Sequence, residues 1–294
     1  MNIPGFRGIL LHHEPMSRHT SLKVGGPADL YAVPEDLDDL LLLTNQLDQA
    51  ELPSMVIGGG YNLLVRDGGI RGAVISLERL NRIELLDGGT VRAWAGAENL
   101  QVVRFAQQQG LGGIGFISGI PGTIGGAVRM NAGAYGKGLL DRMTLLTLLR
   151  SGGVVKLLRE QISYGYRHLE LQTGDTVLAV TLHLEPTDPS ITEEEIRRDL
   201  DLRRTKHTVG YPSAGSFFKN PPDQAAWKLI DAAGMRGFRI GGAQMAELHS
   251  NFMINRSSAT ATDCIALAAQ VKQAVLAATG VMLEEEVRIV GEDP

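Results

Sequence analysis

Ser118-Gly119-Ile120-Pro121-Gly122-Thr123-Ile124-Gly125-Gly126, running on to Met130-Asn131-Ala132-Gly133-Ala134-Tyr135-Gly136, is one of two glycine-rich stretches in this chain. The other is Ile57-Gly58-Gly59-Gly60-Tyr61-Asn62-Leu63-Leu64-Val65. A run without Cβ atoms lets backbone N–H groups come close to an anion, and successive amides form an anion-binding concavity. One such loop is as well explained by a plain turn; two long ones point to a ligand. Strands and helices lie around them without the strict alternation of a doubly wound sheet, so the fold class is α+β.

A chain of 294 residues with 44% hydrophobic and 21% charged residues can bury a sizeable core, in two domains or one large one. Its net charge is −5 and its pI about 5.8, which argues against a nucleic-acid partner. An anionic ligand must therefore be held by local groups. The single Cys264 excludes a disulfide framework within the chain and reads as a buried, inert thiol. No stretch reaches the length of a membrane span and the N-terminus lacks the pattern of a secretory signal, so a cytoplasmic protein with no membrane partner is expected.

Along the chain, Pro34–Ala50 reads as an amphipathic helix and Ser54–Ile57 as a strand entering the first glycine loop. Gly72–Leu77 is a further strand. Hairpins are predicted across Asp87-Gly88-Gly89 and Ser151-Gly152-Gly153, with a helix over Asn99–Gln109 and a strand over Thr176–Leu184. The stretch Glu185-Pro186-Thr187-Asp188-Pro189 marks a boundary. Beyond it, Thr192 and Glu195 predict a capping box for a charged helix reaching Arg204. Then come a helix over Asp223–Ala233, a strand over Asn251–Asn255, and a long helix from Asp263 to Thr279 with Ile265, Ala268, Val271, Val275 and Ala278 on one face. Val287–Val290 closes as a strand.

Some motifs fail on context. Gly110-x-Gly112-x-x-Gly115 follows a helix and opens none, so it is not a dinucleotide fingerprint. Six residues before Lys137 stands Asn131 where a Walker A loop needs glycine. His12 and His13 read as solvated residues in a mobile start. With His168, His183, His207 and His249 scattered singly, no metal site is expected. Three segments carry polar residues in chemically suggestive settings: Ser163-Tyr164-Gly165-Tyr166-Arg167, Pro212-Ser213-Ala214-Gly215-Ser216-Phe217-Phe218-Lys219-Asn220-Pro221, and Leu283-Glu284-Glu285-Glu286-Val287-Arg288. Each alone is also compatible with a structural cation, a turn serine or a solvated charge run.

Together, and in order, these segments resemble the UDP-N-acetylenolpyruvoylglucosamine reductase (MurB) family of flavoenzymes. Arg18-His19-Thr20-Ser21-Leu22-Lys23-Val24-Gly25-Gly26-Pro27-Ala28-Asp29 is similar to its opening motif, and Ile240-Gly241-Gly242-Ala243-Gln244 to a substrate motif. The resemblance implies a two-part FAD-binding region of the vanillyl-alcohol-oxidase (PCMH) type plus a separate α+β substrate-binding domain. The expected boundaries are 1–75 and 76–205 for the two FAD subdomains, 206–284 for the substrate domain, and 285–294 for a strand returning to the flavin. Non-covalent FAD would be held by Gly58, Gly59, Gly60, Tyr61, Asn62, Leu63, Ile120, Pro121, Gly122, Thr123, Gly125, Gly126, Asn131, Gly133, Ala134 and Arg288.

The implied reaction is NADPH-dependent reduction of UDP-N-acetylglucosamine enolpyruvate to UDP-N-acetylmuramate, by a monomer. Arg167 would pair with the substrate carboxylate, Ser216 would give a proton to C2, and Glu286 would share a proton with the enol, acting protonated or beside a neutralising neighbour. Asn220, Arg236 and Gln244 are the expected substrate contacts, Arg236 standing where the family has lysine. Only the 48 residues 168–215 separate Arg167 from Ser216, which resembles the shorter form of the family, lacking the loop whose tyrosine closes over substrate. Lys206-His207-Thr208-Val209-Gly210 also departs from the family pattern. Two other readings keep the glycine loops: an oxygen-using sugar or alcohol flavin oxidase, and a non-catalytic nucleotide-binding module.

Overall fold

The computed structural model describes residues 3–207 and 209–294, without the side chains of Lys206 and His207. The chain divides into two units, residues 1–11, 31–59 and 73–202 in the first, and 12–30, 60–72 and 203–294 in the second.

In the first unit a five-stranded antiparallel sheet runs in the order Gly153–Leu158, Met143–Arg150, Thr176–His183, Thr90–Trp94, Ile83–Leu85. Thr176–His183 lies third and is buried at every position but its two ends, which fits its nearly continuous apolar sequence. The edges of the sheet are the hairpins that the two Gly-Gly turns predict. Arg150 fastens one strand end by two bonds of 2.7 Å to the Asp175 carboxylate, and this guanidinium, outweighing burial, holds Asp175 below the usual carboxylate range.

Helices α1 (Leu37–Gln49), α2 (Asn99–Gln108), α3 (Ile124–Arg129) and α4 (Pro189–Leu202) belong to the same unit. The N-cap of α1 is Asp36, whose carboxylate accepts from Asp39 N–H at 2.9 Å. Helix α4 corrects the predicted capping box. Thr192 lies inside the helix and is buried; the helix starts at Pro189, after Asp188 accepts from Ser190 N–H. Proline at the first helical position and a preceding Asp acceptor outcompete the Thr192–Glu195 pair.

In the second unit an antiparallel sheet runs Ser213–Ser216, Phe252–Asn255, Ala243–Met245, Arg239–Ile240. Leu63–Val65 pairs in parallel with Arg288–Val290. Helix α5 (Ala226–Ala232) begins three residues later than predicted. Asp223 sits in a turn at φ +60° after Pro221-Pro222, and the Asn220 carboxamide oxygen caps Ala226 N–H at 3.0 Å.

Helix α6 (Ala261–Thr279) has a capping box of Thr260 and Asp263 and ends at Gly280, φ +73°. Its buried seam is Ala261, Cys264, Ala268, Val271 and Val275, flanked by Leu267; the predicted Ala278 is exposed and Ile265 only part-buried. Burial pushes the Cys264 thiol up to about 12. His12 and His13 are exposed, as expected, but they sit within the strand Ile9–Pro15, not in a loose start.

Candidate active site

In the first unit the start of one glycine loop, at Gly58, meets the other. An added Cβ on Gly58 would stand 2.7 Å from Thr123 Oγ1 and 3.7 Å from the Gly126 backbone. The second loop is shaped from beneath by the segment leading into α2. Asn99 donates through its backbone to Gly122 O (3.0 Å) and through its side chain to Ile120 O (3.0 Å), while Ile124 and Gly125 N–H reach Ala97 O (2.8 Å) and Ala95 O (2.9 Å). Gly125 has no alternative here, since a Cβ would lie 2.8 Å from that of Ala95. Thr123 Oγ1 is buried without a hydrogen-bond partner, an arrangement that is costly in an apolar setting and suited to a phosphate oxygen.

Downstream, Asn131 sits at φ +40°, its side chain accepting from Leu140 N–H (3.1 Å) and donating to Gly165 O (2.9 Å). Its side chain braces the loop. Gly133 and Ala134 pair with Lys137 and Gly138 in a small hairpin.

Arg167 occupies a two-residue turn between Tyr164–Gly165 and His168–Leu169. Its φ of +52° is unusual for a non-glycine residue, and such strain clusters at functional sites. The guanidinium carbon lies 5.4 Å from the Tyr166 ring centroid, and its Nη atoms stand 3.5 Å from Asn131 O and 3.3 Å from Gly133 O. Arg167 is thus tied to the second glycine loop by its side chain.

The second unit brings Ser216 and Glu286 onto adjacent backbone. Glu286 N–H donates to Phe217 O at 2.8 Å, and Lys219 N–H to Glu284 O at 2.9 Å. The Asn62 side chain donates to Glu286 O at 2.9 Å, while Arg288 N–H donates to Asn62 O at 3.1 Å. Of the three consecutive acids, Glu284 pairs with Lys219 and Glu285 with Lys272, both at about 3 Å.

Of the remaining predicted residues, Gly60 leaves no room for a side chain, because a Cβ would lie 1.9 Å from His19 O. Leu63 is buried in the parallel pair opposite Arg288; Tyr61 is exposed, and Ile120 and Pro121 are half-buried. Arg236 is exposed, bonded to Asp231 and to Glu247 O, and Gln244 Nε2 donates to Gly237 O at 3.1 Å, which places these two beside one turn. Asn220 spends its carboxamide oxygen on the cap of α5. Of the 206–210 segment, Thr208 lies outside the described residues.

Two family models match the chain: "FAD binding domain" over residues 28–158 and "UDP-N-acetylenolpyruvoylglucosamine reductase, C-terminal domain" over residues 207–290. The UDP-N-acetylenolpyruvoylglucosamine reductase of Pelobacter propionicus is 64% identical over 295 residues, covering 100% of both chains. That of Geobacter metallireducens is 52% identical over 98% of this chain and 96% of its own. The chain belongs to the UDP-N-acetylenolpyruvoylglucosamine reductase family. The crystal structure of the Thermus caldophilus MurB superposes with a TM-score of 0.82 at 30% identity, over 96% of this chain and 98% of that one.

For a MurB-family chain the first-unit loops fit a flavin diphosphate: Gly58 and Gly126 leave open backbone on either side of the unpartnered Thr123 hydroxyl. Two contributors escape sequence reasoning. Asn251, buried in the chain turn before Phe252–Asn255, bonds the Phe218 peptide, and Asp67 caps α6 through Ala261 and Thr262 N–H at 2.8 and 2.9 Å. An asparagine directly before an apolar strand is a sign for the first. No local sign exists for the second, whose partners lie 194 and 195 residues away.

Proposed function

We infer that the chain catalyses the NADPH-dependent reduction of UDP-N-acetylglucosamine enolpyruvate to UDP-N-acetylmuramate, a step of peptidoglycan precursor synthesis, with non-covalent FAD. The observation that carries the chemical reading is the hydrogen bond joining Glu286 N–H to the carbonyl of Phe217, the residue after Ser216, which keeps a hydroxyl-bearing and a carboxyl-bearing residue on adjacent backbone. Family membership over the full chain supports the substrate.

When bound, FAD would supply the hydride chemistry needed at C3 of the enolpyruvyl group, with NADPH as the reductant. Negative charge then develops on C2 and the carboxylate. Arg167, pre-set by its turn, presents a planar fork that pairs a carboxylate through two parallel bonds. The Ser216 hydroxyl gives its proton to C2, and Glu286 shares a proton with the enol oxygen. Arg236, Gln244 and Asn220 contact the nucleotide-sugar, and Arg288, with the Gly58–Leu63 and Ile120–Gly126 loops, Asn131, Gly133 and Ala134, holds the flavin. The enzyme works in the cytoplasm as a single chain, without nucleic acid or membrane; its net charge of −5 is in keeping with this, and no helix among the described residues is long and apolar enough to cross a membrane.

Anaerobic visible spectroscopy tests the reading. The yellow protein is bleached with NADPH and then given UDP-N-acetylglucosamine enolpyruvate without oxygen; prompt return of the oxidised spectrum is expected. Recovery only on admitting air would replace the reductase by an oxidase, and failure to take up FAD would leave a nucleotide-binding module.

A further inference from the structure

Ser216 ends a strand that does not pair regularly. Ser213 faces Ile254 and Ser216 faces Phe252, so one residue on the partner strand opposes two on this one. The bulge is made by Gly215 at φ +77°, and Ser213 Oγ repairs it, accepting from Gly215 N–H at 3.1 Å and donating to Met253 O at 2.8 Å. Bulges of this kind turn the next side chain off the direction that regular pleating would give it. A re-aimed serine has a defined direction only if the chain beyond it is held as well.

Asn251 holds it. Its own carbonyl accepts from Phe217 N–H at 2.7 Å. Its side-chain oxygen accepts from Phe218 N–H at 3.0 Å and its side-chain nitrogen donates to Phe218 O at 2.8 Å. The primary amide thus offers both halves of what a neighbouring strand would offer, at the point where the strand partner has turned away. Asn251 is 2% exposed, and the Phe217 and Phe218 rings pack edge to face at 5.2 Å, exposed by 0% and 1%. The stretch so clamped is the one whose Phe217 carbonyl accepts from Glu286 N–H.

We propose that Asn251 is the positioning residue of the Ser216 hydroxyl, acting only through the 217–218 backbone. The proposal rests on the proton-donor reading of Ser216. Misplacing a reacting group by about 1 Å costs roughly 100-fold in rate. Asn251→Asp keeps the shape and the acceptor but sets a carboxylate oxygen against Phe218 O.

The test measures the two half-reactions separately in the FAD-loaded enzyme, with hydrogen exchange read over residues 216–218. In Asn251→Asp the rate of flavin re-oxidation by UDP-N-acetylglucosamine enolpyruvate, relative to bleaching by NADPH, is expected to fall about 10- to 100-fold. The amides of Phe217 and Phe218 should exchange faster, and the solvent isotope effect on re-oxidation should rise. Ser213→Ala, which frees the bulge from the other side, should shift the same ratio in the same direction and decides the matter if Asn251→Asp does not fold. An unchanged ratio, or equal loss in both half-reactions, overturns the proposal even if the variant melts earlier. Parent enzyme that fails to re-oxidise with this substrate would instead overturn the proposed function, and a Ser216→Ala variant that re-oxidises normally would overturn the role of the serine.

Discussion

The glycine loops of the first unit and the Ser216–Glu286 region of the second are built from opposite materials. The first is defined by missing atoms: Gly58, Gly125 and Gly126 clear a space floored by backbone and one buried hydroxyl. The second is defined by added ones, with Ser213, Asn251 and Asn62 each supplying side-chain hydrogen bonds where the strand ladder lapses. The first should therefore fail when atoms are put in, and the second when atoms are taken out or their polarity is reversed.

The largest effect expected from subtraction is at Ser216. Ser216→Ala should lower flavin re-oxidation by substrate by about 10²- to 10⁴-fold while leaving bleaching by NADPH in place, measured by anaerobic stopped flow. Equal loss in both phases would break the comparison.

Addition comes next. Gly58→Ala forces a contact with Thr123 Oγ1, and overpacking of this kind costs about 1–3 kcal/mol, or roughly 10- to 100-fold in FAD affinity by titration calorimetry. Thr123→Ala in that background removes the obstructing oxygen and should restore part of the affinity. Thr123→Ala alone should weaken FAD binding by only about 1 kcal/mol, the worth of one hydrogen bond. A double variant worse than Gly58→Ala would show that the loop fails for some cause other than crowding.

Smaller effects separate the two units by pH. Asp175 lies below the usual carboxylate range chiefly through Arg150; for Asp67, burial pushes upward but the amides of Ala261 and Thr262 outweigh it. A carboxyl whose pKa is lower folded than unfolded stabilises the fold above its unfolded value and loses that contribution as pH falls through the folded one. Both contributions are intact above about pH 4 and lost below it. Asp67→Asn should cost the second unit about 1 kcal/mol near neutral pH, as for a lost helix cap, and flatten the acid limb of its melting curve. The smallest expected effect is at Cys264, whose buried thiol should resist iodoacetamide at pH 8 until the protein is unfolded.

What could be read in advance follows from how far each interaction reaches. Ser54–Ile57 and the hairpins at Gly88-Gly89 and Gly152-Gly153 appear where period-two patterning and turn chemistry put them. Thr192 misleads because two caps compete within four residues and the outer one wins. Asp223 misleads because its helix-like pattern begins before the chain has left a turn. The glycine loops were legible because their signal is local. The clamp at Asn251 was not, since it binds a residue 33 positions away, and Asn62 meets Glu286 across 224. Asn62 reads in sequence as part of a phosphate loop, whereas its side chain is seen to hold the Glu286 carbonyl.

The parallel pairing of Leu63–Val65 with Arg288–Val290 also bears on how the chain reaches its native state. Contacts so distant along the chain form slowly, because loop closure must precede their reward. During synthesis residues 60–72 must wait for the final strand before their part of the second unit can form. The first unit, whose central sheet uses only residues 83 to 183, needs no such delay. The chain should therefore acquire its five-stranded sheet early and its Arg288–Val290 strand last, a sequence that pulse-labelled hydrogen exchange during refolding would resolve.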